Sequence, residues 1–244
     1  MSKNISDGVD ELSLNLEFTD GLKGITIPGK GIVNKTISSL LFEHFEERGV
    51  PTHYIDSSGA SSQIVGRANM IPLQVIVRNY TEGSFCRRYG VEPGRKLESV
   101  IVEFKVKDER LHNPYITPDA AVALDLVTEQ DVDEILKYIE IINKVAQRFF
   151  NNIDLTLIDF KVEFGLDIES MGELVLADEF SLDTCRVYNS DGRPIFRGNM
   201  TSKEVATVYE TVMRKVSEIK NWNFSALVTC FKRELIVIDS LFFQ

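Results

Sequence analysis

The chain has 244 residues, of which 43% are hydrophobic and 26% are charged, so it is long enough to bury a core as one large domain or as two joined lobes. Its 27 Lys and Arg residues face 37 Asp and Glu residues, and the net charge of −10 argues against sequence-independent binding to nucleic acid or anionic lipid. The sequence shows no apolar run of about 18 residues and no secretory signal, so we expect a cytoplasmic protein with no nucleic-acid partner and no membrane partner.

The first predicted elements are a strand, a glycine-rich loop and a helix. Residues 12–18 alternate apolar and polar side chains, as a strand buried on one face does. The loop ends in IPGKG, which contains Lys30, and the next segment has apolar residues at helical spacing before a stop at Gly49. IPGKG resembles a phosphate-contacting loop before a helix, but it lacks the GxxxxGK[ST] spacing of a P-loop.

The rest of the chain alternates strands with two amphipathic helices. Segments rich in β-branched residues at 73–78 and 99–105 predict strands, and residues 154–165 and 173–180 predict a hairpin. Capping boxes at Thr128 and Thr201 begin two helices, the second of which runs to about residue 220. The apolar stripe of the first of these helices consists of Val132, Ile135, Leu136, Ile139, Ile142, Val145, Ala146 and Phe149.

Charged residues alternate along the predicted strand at residues 154–165. Asp159, Lys161 and Glu163 share one face, because alternate residues of a strand point the same way. If the second strand of the hairpin folds back, Asp178 or Glu179 approaches Glu163, and two carboxylates on adjacent strands are a suitable magnesium site. The alternative is a solvated polar face with cross-strand ion pairs.

A second polar cluster follows the strand at residues 73–78. It contains Arg78, Gly83, Ser84, Arg87 and Arg88. Guanidinium groups bind phosphate or carboxylate in a bidentate manner, and glycine lets backbone N–H groups approach a ligand closely. The alternative is a basic turn on an acidic protein.

Several motifs in series resemble one enzyme family. They are GKGIVNKTIS, GVPTHYI, NMIPLQVIVRNYTEGSFCRRYGVEPG, DERLHNP, LTLIDFKVEFG and LVLADEFSLDTCRV, and they cover about residues 14–196. Together they resemble the SAICAR synthetase family of purine biosynthesis. The resemblance implies an α+β, two-lobed fold related to ATP-grasp enzymes, with antiparallel sheets and flanking helices. Residues 1–70 would form a shortened nucleotide-binding lobe, and residues 71–244 a lobe that binds substrate and ATP.

The same resemblance implies roles for individual residues. The family joins a carboxylate to the amine of aspartate through an acyl phosphate, with ATP and Mg²⁺ as cofactors. The implied ligands are Glu163 and Asp178 for magnesium, Met70, Gln74, Lys30 and Lys161 for ATP, and Arg78, Ser84, Arg186, Ser181 and Asp183 for the ribonucleotide substrate. The implied catalytic residues are Lys161, Asp159 and Arg197.

The chain also departs from the family pattern. The first residues, MSKNISDGVDEL, have no counterpart of the family's glycine- and lysine-bearing hairpin, Gln74 replaces a ribose-binding glutamate, and Asn113 replaces an aspartate. The loop TDGLKG is shortened, and the late KDxFR element is reduced to RPIFRG.

Two functions follow from these comparisons with the family pattern. One is an ATP-dependent ligase that joins an imidazole-type carboxylate to aspartate or another amine, in purine synthesis or a related nucleoside pathway. The other is a catalytically weakened homologue that binds nucleotide or a partner subunit. The ordered motifs argue against an unrelated acidic binding protein, and the apolar segment at residues 226–244 predicts a homo-oligomer.

Overall fold

The computed structural model describes residues 3–22, 24–196, 198 and 200–219. The strands are β1 (Lys3–Asp7), β2 (Ser13–Phe18), β3 (Gly21–Leu22), β4 (Ile25–Thr26), β5 (Tyr54–Ser57), β6 (Ser62–Gly66), β7 (Ala68–Tyr80), β8 (Lys96–Val106), β9 (Tyr115–Ile116), β10 (Thr156–Asp167), β11 (Leu174–Ala177) and β12 (Cys185–Tyr188). The helices are α1 (Lys30–Glu46), α2 (Ser84–Tyr89), α3 (Pro118–Ala123), α4 (Glu129–Asn152) and α5 (Ser202–Ser217). The predicted α+β class is confirmed. Within these ranges, no helix combines the length and the apolar character needed to cross a bilayer.

The smaller of the two main sheets is formed by the N-terminal part of the chain. Its strand order is β1, β2, β6, β5, and all neighbours are antiparallel. Helix α1 packs against β2, β5 and β6 and also contacts α4 and α5. It is therefore buried on nearly all sides, which explains why its sequence lacks a narrow apolar stripe.

The larger sheet has β10 near its centre. Its order is β11, β10, β7, β8, β9, and β12 also pairs with β10. Strands β11 and β12 pair with opposite halves of one edge of β10, while β7 pairs along the other edge. Side chains on one face of β10 can therefore meet side chains from three strands. Strand β7 spans the predicted lobe boundary at residue 70, and the division into lobes stays a prediction.

Helix α4 covers the larger sheet with its apolar stripe. Ile135, Ile139 and Ile142 are at most 2% exposed, and the predicted capping box of Thr128 is present. Leu136 was predicted on the stripe, and this was wrong, because its side chain is 37% exposed. One residue turns the helix by about 100°, so the neighbour of Ile135 lies on the flank of the stripe.

The core face of β10 agrees with the alternation in its sequence. Phe160, Val162 and Phe164 are at most 2% exposed, and the ring centroid of Phe160 lies 5.0 Å from that of Phe180. The predicted hairpin of β10 and β11 is confirmed by their antiparallel register. The opposite face of β10, with Asp159, is therefore directed away from this core.

Candidate active site

Three charged side chains meet across β7, β10 and β12. In the sheet register Asp159 lies opposite both Arg78 and Arg186. Nη1 of each arginine donates to Oδ2 of Asp159 at 3.1 Å. We call these residues the Arg–Asp–Arg triad. Arg78 and Asp159 are only 3% and 8% exposed, so the predicted solvated polar face does not describe this end of β10.

The environment of the triad is acidic as well as basic. Nε of Arg78 donates to Glu103 at 2.5 Å, and Nη2 donates to the Ser84 hydroxyl at 3.3 Å. Burial raises the pKa of the Asp159 carboxyl above its ordinary value, although the charges of Arg186 and Arg78 act in the opposite direction. The guanidinium group of Arg78 is therefore held by Asp159, Glu103, Ser84 and the Tyr115 hydroxyl before any ligand arrives.

Gly83 makes room for the second arginine of the triad. A Cβ at this position would lie 2.7 Å from Nη1 of Arg186. The residue also has φ of +57° and ψ of −123°, a conformation that side chains disfavour. This position therefore favours glycine for two separate reasons. The space beside Gly83 is filled by Arg186, and the predicted approach of a ligand to its backbone stays a prediction.

The triad lines a cleft of about 680 Å³. The other charged or hydroxyl side chains that line it are Glu82, Ser84, Lys161, Asp183, Thr184 and Tyr188. Basic and acidic groups are thus mixed in one concave surface of a size that accommodates a small molecule.

A second, smaller cleft of about 320 Å³ is lined by Gln74, Lys105, Val106, Lys107, Glu109, Asn113 and Lys161. Lys161 lines both clefts and is itself exposed. Its backbone N–H donates to Thr184 O at 2.9 Å, which fixes the β10 backbone at this residue. Lys161 is therefore the predicted site residue that faces both clefts.

Glu163 lies two residues along the same face of β10. Its side chain is 10% exposed; one carboxylate oxygen binds the ammonium group of Lys107, and the other accepts from Nε2 of Gln74 at 3.4 Å. Its register partner on β11 is Ala177, the residue before Asp178. The hairpin therefore brings Asp178 to within one residue of the register position opposite Glu163.

Asp178 follows the end of β11 in an unusual backbone conformation. Its φ is +65°, so the alternation of strand faces stops at this residue. Its carbonyl oxygen accepts from Nε2 of His53 at 3.1 Å, and burial lowers the pKa of His53 to about 4. Its carboxylate binds the ammonium group of Lys3, which also lies 3.2 Å from Glu179.

The carboxylates of Glu163 and Asp178 alone do not complete a magnesium site. Among the residues that the structure describes, no group of three or more His, Cys, Asp or Glu side chains is arranged to hold a metal ion. Mg²⁺ is usually bound by one or two carboxylates together with water and substrate phosphates. Glu163 and Asp178 are the two carboxylates predicted for such a site, and their present counter-ions are Lys107 and Lys3; their assignment to magnesium stays a prediction.

Behind the larger cleft lies a buried polar network. Lys30 is fully buried, and its ammonium group is 2.5 Å from Oδ2 of Asp183, whose Oδ1 accepts from Tyr209 at 3.2 Å. Ser181 is also fully buried and donates to Glu179. Asp183 lines the cleft, whereas Lys30 and Ser181 support it from behind, and their assignment to ligand binding stays a prediction.

The glycine-rich loop before α1 is occupied by the protein itself. The backbone N–H groups of Gly29 and Gly31 donate to the carboxylate of Asp20 at 3.2 and 2.8 Å. A carboxylate at a helix N-terminus is favourable for the same reason that a phosphate is. The predicted phosphate-contacting loop therefore has an internal anion.

Three further predictions concern Met70, Arg197 and the apolar segment at residues 226–244. Met70 is 43% exposed on β7 and lies opposite Gly165 on β10, and its role beside adenine stays a prediction. Arg197 lies outside the described residues, and so does the apolar segment at residues 226–244.

Arg88, which belongs to the predicted polar cluster, lies beside Ser84. Sequence reasoning missed three residues around the site: Tyr115 beside Ser84, Glu103 beside Arg78, and Lys107 beside Glu163. Glu103 alternates with apolar residues on β8, and Lys107 directly follows that strand, a pattern that also fits an ordinary solvated strand face. Tyr115 directly follows the DERLHNP motif, but the resemblance assigned no role to this position.

Known proteins resemble this chain over most of its length. A family model described as SAICAR synthetase matches residues 16–219. Phosphoribosylaminoimidazole-succinocarboxamide synthase of Listeria monocytogenes is 38% identical over 207 residues, which cover 83% of this chain and 86% of that protein. The crystal structure of the synthase of that name from Ehrlichia chaffeensis has a TM-score of 0.81 and 30% identity, with 90% of this chain and 97% of that chain covered. A structure described as SAICAR synthetase (Type-2) in complex with ADP has a TM-score of 0.80 and 30% identity, with 88% and 95% covered.

Proposed function

The chain belongs to the SAICAR synthetase family, an ATP-dependent ligase family of purine biosynthesis, and from this premise we propose how its clefts divide the reaction. The ribonucleotide that carries the imidazole carboxylate binds in the larger cleft, and aspartate supplies the amine. The observation that carries this proposal is the Arg–Asp–Arg triad beside Ser84, because it presents two guanidinium groups and a hydroxyl in one concave surface.

The anionic groups of the substrate match these donors. A phosphate monoester takes bidentate hydrogen bonds from arginine, and Arg78 is held in place by Glu103 and Asp159. Arg186 is more accessible than Arg78, since 40% of its side chain is exposed. We assign Arg78 and Ser84 to the phosphate and Arg186 to the phosphate or the carboxylate, with Asp159 as the acid that orients both arginines.

Lys161 marks the place where the two halves of the reaction meet. In the proposed reaction a carboxylate oxygen of the ribonucleotide attacks the γ-phosphorus of ATP, ADP leaves, and the aspartate amine then displaces phosphate from the acyl phosphate. Such transfers require positioning and charge neutralisation more than acid–base chemistry. Because Lys161 lines both clefts, we propose that it neutralises the γ-phosphate. We assign Gln74, which lines the smaller cleft, and Met70, which is exposed on β7, to the nucleoside of ATP.

Magnesium is proposed at the carboxylates of Glu163 and Asp178. When bound, it would supply charge neutralisation for the ATP phosphates. The ammonium groups of Lys107 and Lys3 now neutralise these carboxylates. We infer that these two lysines turn toward phosphate oxygens when the metal binds.

The test measures ADP release and ligand binding in variants that each lack one charged side chain. Arg186→Ala should raise the KM for the ribonucleotide by at least about tenfold and leave the KM for ATP unchanged, whereas Arg87→Ala should behave like wild type because Arg87 is exposed on α2 outside the cleft. An unchanged KM for the ribonucleotide in Arg186→Ala would refute the substrate assignment. If the wild-type chain binds the ribonucleotide by calorimetry but releases no ADP with aspartate present, the weakened homologue is the correct function.

Two proposals rest on the sequence alone. A homo-oligomer is expected from the apolar segment at residues 226–244, and light scattering of the purified chain tests it. We also propose, from the sequence alone, that the protein is cytoplasmic.

A further inference from the structure

Tyr115 neighbours one residue of each cleft, Ser84 of the larger cleft and Lys105 of the smaller one. It belongs to the short strand β9, which pairs with β8 and places it opposite Lys105, a residue of the smaller cleft. Its hydroxyl oxygen is 3.0 Å from Oγ of Ser84 and accepts from Nη2 of Arg78 at 3.4 Å. Tyr115 therefore contacts the two residues assigned to the substrate phosphate, although it has no role in the proposed reaction so far.

Two cations hold the ring of Tyr115 in place. The guanidinium carbon of Arg88 lies 3.8 Å from the ring centroid, and Nζ of Lys105 lies 5.1 Å from it. Arg88 is itself bound to Glu103, and its Nη1 donates to Oγ of Ser84 at 3.4 Å. The direction of the tyrosine hydroxyl is thus fixed toward Ser84.

The hydrogen bonds around Ser84 and Tyr115 use only one of their two hydroxyl protons. Ser84 and Tyr115 each have one O–H donor. One of these protons forms the bond between the two hydroxyls, while Arg78 donates to both oxygens and Arg88 donates to Ser84. In the described part of the chain, no acceptor takes the second hydroxyl proton. Tyr115 is 38% exposed, so this donor is accessible to a ligand.

We propose that Tyr115 is a binding residue that makes the site specific for a phosphate monoester. The unused proton of the Ser84–Tyr115 pair is donated to a phosphate oxygen, next to the guanidinium groups of Arg78 and Arg88. This inference rests on the proposed function, because it takes Arg78 and Ser84 as the phosphate side of the ribonucleotide site. A ligand without the phosphate leaves the hydroxyl bonded only within the protein and gains nothing from Tyr115.

The experiment compares two ligands and three proteins. Calorimetry gives the Kd of the imidazole carboxylate ribonucleotide and of its dephosphorylated nucleoside for wild type, Tyr115→Phe and Tyr89→Phe. Tyr89 is the matched control, because its ring also lies near Arg88, at 5.3 Å from the guanidinium carbon, and it is exposed. Tyr115→Phe should weaken ribonucleotide binding about tenfold and leave nucleoside binding unchanged. Tyr89→Phe should match wild type for both ligands.

Each other outcome overturns a defined step. If Tyr115→Phe binds the ribonucleotide as wild type does, or weakens both ligands equally, Tyr115 does not recognise the phosphate. If wild type prefers the ribonucleotide but the preference does not depend on Tyr115, the proposed function survives and only this inference fails. If wild type binds both ligands equally, or does not bind the ribonucleotide, the phosphate assignment of the larger cleft fails first and this inference fails with it.

Discussion

Replacing Gly83 with alanine tests whether the Arg–Asp–Arg triad binds substrate. The new Cβ would lie 2.7 and 2.9 Å from Nη1 and Nη2 of Arg186, closer than such atoms can approach. The guanidinium group must therefore leave its position 3.1 Å from Asp159. The backbone conformation of Gly83 adds strain of about 1–3 kcal/mol in any residue with a side chain.

The size of the functional effect follows from the contact that is lost. A hydrogen bond to a charged group contributes about 1.5–3 kcal/mol. Because 40% of the Arg186 side chain is exposed, solvent screening favours the lower end of that range. About 1.4 kcal/mol corresponds to a factor of ten. We therefore expect Gly83→Ala to raise the KM for the ribonucleotide about tenfold and to leave the KM for ATP unchanged.

Gly90→Ala provides the matched control at the other end of α2. Gly90 also has a positive φ, +63°, but an added Cβ would meet nothing within 4 Å. It should lose about 1–2 kcal/mol of stability in urea denaturation and keep both KM values. Steady-state kinetics of the two variants decide the matter. If Gly83→Ala has the same KM for the ribonucleotide as Gly90→Ala, displacement of Arg186 does not affect substrate binding and the reasoning is refuted.

Two further predictions concern the metal site and the buried histidine. Glu163→Gln should abolish ATP-dependent product formation and leave the thermal midpoint nearly unchanged, because the amide has the volume of the carboxylate; normal turnover in this variant would exclude Glu163 as a magnesium ligand. Burial lowers the pKa of His53 from 6.5 to about 4, so the unfolded state takes up a proton first as the pH falls, and the free energy of unfolding should decrease by about 3 kcal/mol between pH 6.5 and pH 4. Urea denaturation at both pH values checks this, and an equal loss in His53→Gln would show that another group is responsible.

The faces of β10 could be predicted because strand alternation is a local property. Phe160 and Val162 enter the core, and Asp159 is directed to the cleft, as the sequence pattern indicates. The meeting of Arg78 and Arg186 at Asp159 depends on the register of three strands. That register is a long-range property, and only the resemblance to a family suggested that these residues belong together.

Other features of the site depend on single backbone angles or on distant partners. The magnesium prediction depends on which face of the β10–β11 hairpin Asp178 shares. The positive φ of Asp178 ends the alternation of side chains along β11, so the periodicity of the sequence could not show which way this carboxylate points. Lys3 is 175 residues from Asp178 in sequence, and Lys107 is 56 residues from Glu163. No spacing rule predicts such pairs, because they form only when the two main sheets and their loops are in place.

The pairing of charges within the cleft implies that substrate binding exchanges ion pairs. A phosphate or carboxylate that binds Arg78 or Arg186 competes with Asp159 for their guanidinium groups. Glu82 and Glu103 are the other charges that raise the pKa of Asp159, in addition to its burial. When an anionic ligand weakens the two favourable contacts, the pKa of Asp159 should rise further, so ribonucleotide binding should be accompanied by proton uptake that is greater at pH 6 than at pH 8. Calorimetry in buffers of different ionisation enthalpy measures this uptake, and Asp159→Asn should remove it; uptake that persists in the variant would place the proton on another group.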